Sequence, residues 1–199
     1  MTARTTRIIL IFSAFVVGLA VAFGAVMLIA GRGAGPMVTQ ASAVGGPFRL
    51  VEGNGNVVTD QDMKGKPFLV FFGFTHCPEV CPTTLFEVSE VFRLLGPDAG
   101  KAAALFITVD PERDTPAVMK DYLASFDPRL RGLTGEPEAI QAVLKAYRVY
   151  AKKVPLKDGG YTMDHTALVY LMDKQGKFVA PFNVKRGAEA AAADLRKYF

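Results

Sequence analysis

Cysteine and histidine are scarce in this chain, two of each in 199 residues, and both cysteines fall between Cys77 and Cys81. A disulfide across them would close a loop of about five residues, remove about 2 kcal/mol of chain entropy at best and join nothing distant. A purely structural staple is therefore the weaker reading of the pair. A charge excess of one sign is missing too. Lys and Arg number 23 against 19 Asp and Glu, a formal +4. Three of those arginines, Arg4, Arg7 and Arg32, flank an apolar N-terminal run, so the remainder is nearly neutral. With no arginine-rich stripe or interleaved aromatics, nucleic-acid binding is excluded. Internal repeats and low-complexity tracts are absent. The one local excess, Lys145, Arg148, Lys152, Lys153 and Lys157, reads as a solvated surface, or alternatively as a field steering the domain toward an acidic partner.

The apolar run covers Ile8 to Ala30, enough at about 1.5 Å per residue to cross a hydrocarbon core of about 30 Å. Arg4 and Arg7 precede it and only Arg32 follows closely. Residues 1–7 are thus expected in the cytoplasm, 8–30 as one transmembrane helix of a bacterial inner membrane, and the rest in the periplasm. Ala41-Ser42-Ala43 resembles a signal-peptidase site. The run is much longer than a signal h-region, however, and that tripeptide lies far beyond its end, so a retained anchor is the expectation. Residues 31–46, rich in Gly, Ala and Ser, read as a flexible tether, and 47–199 as one domain.

That domain opens with Phe48 to Val58 around Gly53-Asn54-Gly55-Asn56, a β-hairpin pattern. Pro67 to Phe72 is apolar throughout, as in a parallel strand covered on both faces. A helix from Thr83 to Leu95 places Leu85, Val88, Val91, Phe92 and Leu95 on one stripe. A second strand, Ala103 to Val109, precedes a helix capped by Thr115-Pro116 that runs to Phe126 with Val118, Tyr122, Leu123 and Phe126 inward. A further helix, Pro137 to Tyr147, buries Ile140, Val143, Leu144 and Tyr147. Val149 to Thr162 reads as a hairpin or excursion around Lys157-Asp158-Gly159-Gly160, followed by strands Thr166–Met172 and Lys177–Pro181 and a helix over Ala188–Lys197. The order defines an α/β, thioredoxin-like domain with an N-terminal β-hairpin extension and a hairpin insertion, preceded by one transmembrane helix.

Both cysteines lie where the first core strand gives way to a helix. Pro82 suits the first helical position and pushes Cys81 out of the α region, so the helix is expected to begin no earlier. Cys81 then stands at a helix N-terminus, where partial positive charge favours a thiolate, and Cys77 lies on the preceding turn. In a thioredoxin-like sheet the strand after His165 runs antiparallel to the central strands, so His165 is expected beside the cysteine loop. Thioredoxins place a cis-proline at that corner; this chain has no proline nearby. Two thiolates and one imidazole form a soft set suited to Cu(I) and able to accept Cu(II), whereas structural zinc takes four protein ligands. His76 adjoins Cys77 and is expected to face solvent. Asp110, at the end of the neighbouring strand, is read either as a turn carboxylate before Pro111 or as an outer-sphere or docking group. Asp164 should point away from His165.

Three motifs then coincide: Gly73-Phe74-Thr75-His76-Cys77-Pro78-Glu79-Val80-Cys81-Pro82, Val109-Asp110-Pro111-Glu112-Arg113-Asp114-Thr115-Pro116 and Tyr161-Thr162-Met163-Asp164-His165-Thr166-Ala167-Leu168-Val169-Tyr170. In this order they resemble the Sco/SenC family of copper-binding proteins. The resemblance implies that Cys77, Cys81 and His165 bind copper. It also implies that the chain assists assembly of the binuclear copper centre of cytochrome c oxidase subunit II, with copper arriving from an upstream periplasmic chaperone. The alternative is a thiol-disulfide oxidoreductase using Cys77 and Cys81 as its redox pair and keeping the acceptor's cysteines reduced. A peroxiredoxin-like peroxidase lacks its P-x-x-x-T-x-x-C pattern: Thr75 is two residues before Cys77, and Val70 stands where the proline belongs.

Overall fold

A computed structural model describes residues 13–27, 44–157 and 159–199. The expected cytoplasmic tail, both ends of the apolar run, residues 31–43 of the tether with Ala41-Ser42-Ala43, and Asp158 lie outside the described residues. The chain divides into two compact units, Met1–Ala41 and Ser42–Phe199. In the first, residues 13–27 are helical, with Phe15, Leu19 and Phe23 exposed. At about 1.5 Å per residue this described part rises about 22 Å, and no helix among the described residues is long and apolar enough to cross a membrane.

The second unit runs β1 (Arg49–Glu52), β2 (Val57–Thr59), β3 (Phe68–Gly73), α1 (Val80–Leu95), β4 (Ala103–Thr108), α2 (Pro116–Leu123), β5 (Leu130–Thr134), α3 (Pro137–Ala146), β6 (Ala151–Pro155), β7 (Tyr161–His165), β8 (Val169–Met172), β9 (Phe178–Pro181) and α4 (Ala188–Arg196). Seven strands form one sheet in the order β2-β1-β5-β4-β3-β8-β9, and β6 pairs with β7 in a sheet of their own. The three central strands are parallel and the flanking pairs antiparallel. β3 is buried at every position, which is why it reads as an unbroken apolar run. Alternation of side chains puts Phe71 on one face, stacked on Phe106 at 5.9 Å, with Tyr122 of α2 beyond it. Phe72 faces the other way, 5.4 Å from Tyr147 at the end of α3 and 5.8 Å from Tyr170 of β8. α1 buries Leu85, Val88, Val91, Phe92 and Leu95 and packs against α4.

Four expectations need correction. α1 begins at Val80, not Thr83. The restriction ahead of a proline is a preference, and proline within the first turn forfeits no helical bond because the N–H groups there have no partner in the helix. β5 is announced by no local pattern. Its sequence, Leu130-Arg131-Gly132-Leu133-Thr134, has little apolar content and a central glycine, yet a Cβ at Gly132 would come within 2.6 Å of Leu123. Met119 rather than Val118 faces the core from α2; Val118 is 37% exposed. Finally, β8 starts at Val169, so His165 ends β7 of the separate hairpin and does not open a strand of the main sheet. The excursion is a true hairpin, and Gly159 and Gly160 take positive φ (+88° and +79°) in its turn.

Phe72 is fully buried among aromatic neighbours at the centre of this sheet. Phe72→Ala is expected to lower stability by about 3–5 kcal/mol, read from urea unfolding followed by circular dichroism.

Candidate metal centre

β3 ends at the sheet's carboxyl edge, and the chain turns through Phe74–Glu79 into α1. The Cys77 N–H donates to the Phe74 carbonyl (3.2 Å), tightening the turn. Cys77 Sγ in turn accepts the backbone N–H of Cys81 (3.3 Å), one of the first-turn groups of α1 that the helix itself leaves unbonded. Cys81 points inward beneath Gly73. A Cβ at Gly73 would lie 2.7 Å from Cys81 Sγ and 2.7 Å from the Phe106 ring, so the end of β3 accommodates the sulfur only as glycine. From the far side, His165 brings Nε2 to 3.9 Å from Cys81 Sγ. The ligand atoms of Cys77, Cys81 and His165 all lie within 4.8 Å of one another. Metal–nitrogen and metal–sulfur bonds of about 2.0–2.3 Å fit that spacing.

The imidazole is oriented on both sides. Nδ1 lies 3.0 Å from the Thr166 carbonyl oxygen, which can only accept. Nδ1 therefore donates to it, which turns Nε2 toward the sulfurs. The edge of Phe74 meets the ring at 5.7 Å and 88°. Among the described residues no other group of His, Cys, Asp or Glu ligands converges in this way.

Both thiols are free, Cys77 partly exposed and Cys81 buried. Burial pushes the Cys81 thiol far above the ordinary cysteine range. A backbone hydrogen bond with Phe74 opposes the shift, and Cys77 and Asp114 reinforce it. The thiolate expected for Cys81 at the helix terminus is thus overturned in the metal-free protein, because desolvation outweighs the helix end.

The remaining residues sort clearly. His76 is exposed, with Nδ1 3.1 Å from Thr75 Oγ1, and stands outside the ligand group. Asp164 is exposed, opposite Lys152 in the hairpin register, pointing away from the site. Asp110 is buried but meets none of the three ligands; it accepts from Tyr161 Oη (2.9 Å) and from Arg113 Nε. Sequence reasoning missed Asp114. It is fully buried, accepts from Thr75 N (3.1 Å), Thr75 Oγ1 (2.6 Å) and Thr108 Oγ1 (2.6 Å), and so fastens the cysteine loop to the end of β4. The only available signal was its place in the Val109–Pro116 motif.

A thioredoxin-like sheet with two thiols and an imidazole converging at its carboxyl edge defines a protein of dithiol and soft-metal chemistry. The SCO1/SenC family profile matches residues 36–199, and the chain belongs to that family. Among similar solved structures, Bradyrhizobium japonicum ScoI with copper bound is 66% identical, with a TM-score of 0.77, covering 78% of this chain and 99% of that one. Arabidopsis thaliana ScoI with copper bound is 37% identical, with a TM-score of 0.70 over 78% of this chain and 99% of its own. Protein sco1 of Schizosaccharomyces pombe is 40% identical over 160 residues, 78% of this chain and 61% of that protein. The chain thus spans less than two thirds of that relative's length.

The raised Cys81 pKa means that the folded state holds this proton more tightly than the unfolded chain. Its contribution to stability is complete below the unfolded cysteine value of about 8.5 and is lost as pH rises above it. The melting temperature of the metal-free protein is expected to fall between about pH 8.5 and 10, below the range where unfolded tyrosines titrate. Cys81→Ala should flatten that part of the profile, as differential scanning fluorimetry across pH will read.

Proposed function

We propose that this chain is a membrane-anchored copper chaperone of the bacterial periplasm. It holds one copper ion, as Cu(I) or Cu(II), on Cys77, Cys81 and His165. It assists assembly of the binuclear copper centre of cytochrome c oxidase subunit II, with copper arriving from another periplasmic chaperone. The observation that carries this reading is the convergence of two sulfurs and one imidazole nitrogen within 4.8 Å. Family membership and the relatives solved with copper bound support it.

Copper is the cargo. Three soft ligands suit it, and a three-ligand set leaves room for an incoming ligand from the acceptor. Cys77, the more exposed sulfur, is the one a docked partner reaches first. Loading displaces the proton that burial holds on Cys81, so uptake is linked to proton release. The apolar run at residues 8–30 keeps the domain at the membrane that houses the acceptor, with the near-neutral domain facing the periplasm.

The free, adjacent thiols favour a second reading, reduction of the acceptor's copper-ligand cysteines. One thiol attacks the acceptor disulfide and the other resolves the mixed disulfide. Two electrons and two protons pass to the acceptor, which gains two thiols as Cys77 and Cys81 become a disulfide. His165→Ala separates the readings. The wild-type full chain is expected to bind one copper per chain, and the variant to lose more than about 100-fold in Cu(II) affinity, beyond the usual cost of removing outer-sphere partners, while disulfide exchange with a model substrate persists. Full-affinity, one-to-one binding in His165→Ala, measured by competition titration, overturns the copper assignment.

A further inference from the structure

His165 rides on a hairpin that, among the described residues, shares no strand pairing with the main sheet, so contacts from outside its own sheet must set where its imidazole stands. On β7 the side chains alternate, and Tyr161, Met163 and His165 share one face, with Asp164 turned to solvent. Tyr161, at the start of β7, is gripped from three directions. Arg113 Nη1 donates to its carbonyl oxygen (3.0 Å), the guanidinium carbon lies 3.8 Å from its ring centroid, and its hydroxyl donates to buried Asp110 (2.9 Å). Arg113 Nε also bonds Asp110, closing a ring of contacts. The same guanidinium lies over the Phe74 ring at 5.8 Å, and Phe74 borders His165 and receives the Cys77 N–H. The ion pair between hairpin and body, Lys153 with Glu112, is solvent-exposed and contributes little.

We infer that Arg113 is the positioning residue for His165, joining the cysteine loop to the hairpin so that the imidazole stands against the two sulfurs. It touches neither sulfur nor imidazole and acts through Phe74 and Tyr161. Its consequence for copper loading rests on the proposed function, but its geometric content is open to test without metal.

The first measurement is proton NMR of the imidazole rings in the metal-free full chain, which has two histidines; His76→Gln identifies the His165 signals. In Arg113→Met, which keeps side-chain length but removes the guanidinium, the His165 signals are expected to move toward free imidazole while those of His76 stay. Amide exchange over Tyr161–His165 should quicken at least about tenfold, as local opening becomes easier. Arg113→Lys keeps the charge but not the fork and is not expected to restore either. Cu(II) affinity should fall about 10–100-fold, with a weaker imidazole-nitrogen signal in pulsed EPR. If Arg113→Met fails to fold, Tyr161→Phe, which removes only the bond to Asp110, should shift the same signals in the same direction by less. Unmoved His165 signals and unchanged β7 exchange in a folded variant overturn the inference. If wild type shows imidazole nitrogen on Cu(II) and Arg113→Met keeps it with ring signals unmoved, the positioning role fails and the copper reading stands. If the ring signals move but wild type shows no such nitrogen, the copper reading fails and the positioning role stands.

Discussion

Asp114 buries its carboxyl group completely and satisfies it with three hydrogen bonds, two from Thr75 and one from Thr108. Leaving such a group unpaired in the interior would cost several kcal/mol, so the loop carrying the cysteines and the end of β4 are held in one arrangement. The Thr108 hydroxyl also accepts the Asp110 N–H at 2.8 Å. Asp110 is thereby fixed where it can receive Tyr161 and Arg113. The cysteine loop and the Arg113–Tyr161 contacts thus meet at one polar knot at the carboxyl edge of an otherwise apolar sheet.

Around the knot, the site divides labour between rigid and borrowed elements. The sulfurs belong to the β3–α1 junction, an exposed turn tied inward through Asp114, with Cys81 resting between Gly73 and Phe106. The nitrogen belongs to a peripheral hairpin attached through side chains. A dithiol pair with a fixed geometry thus coexists with a third ligand whose support is separate, and the copper and dithiol readings draw on these two parts unequally.

Much of this was legible in the residues. The apolar run of β3, the stripe of α1, the Thr115-Pro116 cap and the Gly-Gly turn of the hairpin each express a local rule, and each element is present. The convergence of Cys77, Cys81 and His165 was legible because β8, which begins four residues after His165, lies beside β3, although His165 itself sits on the hairpin. What escaped depended on distant partners. β5 is made a strand by β4 and β1, not by its own composition. The electrostatic state of Cys81 is set by burial under Gly73 and Phe106, which no helix-end argument reveals. Asp114 meets Thr75 across 39 positions, and Arg113 meets Tyr161 across 48; nothing in the local spacing of either residue marks it as a tie between loops.

The two-stranded sheet of β6 and β7 begins and ends next to the body and closes outward through Gly159 and Gly160. Its tip can therefore be lengthened, shortened or exchanged as a cassette, with the metal-facing base left alone. The tip and the copper-facing base can then diverge independently among chains built on this plan.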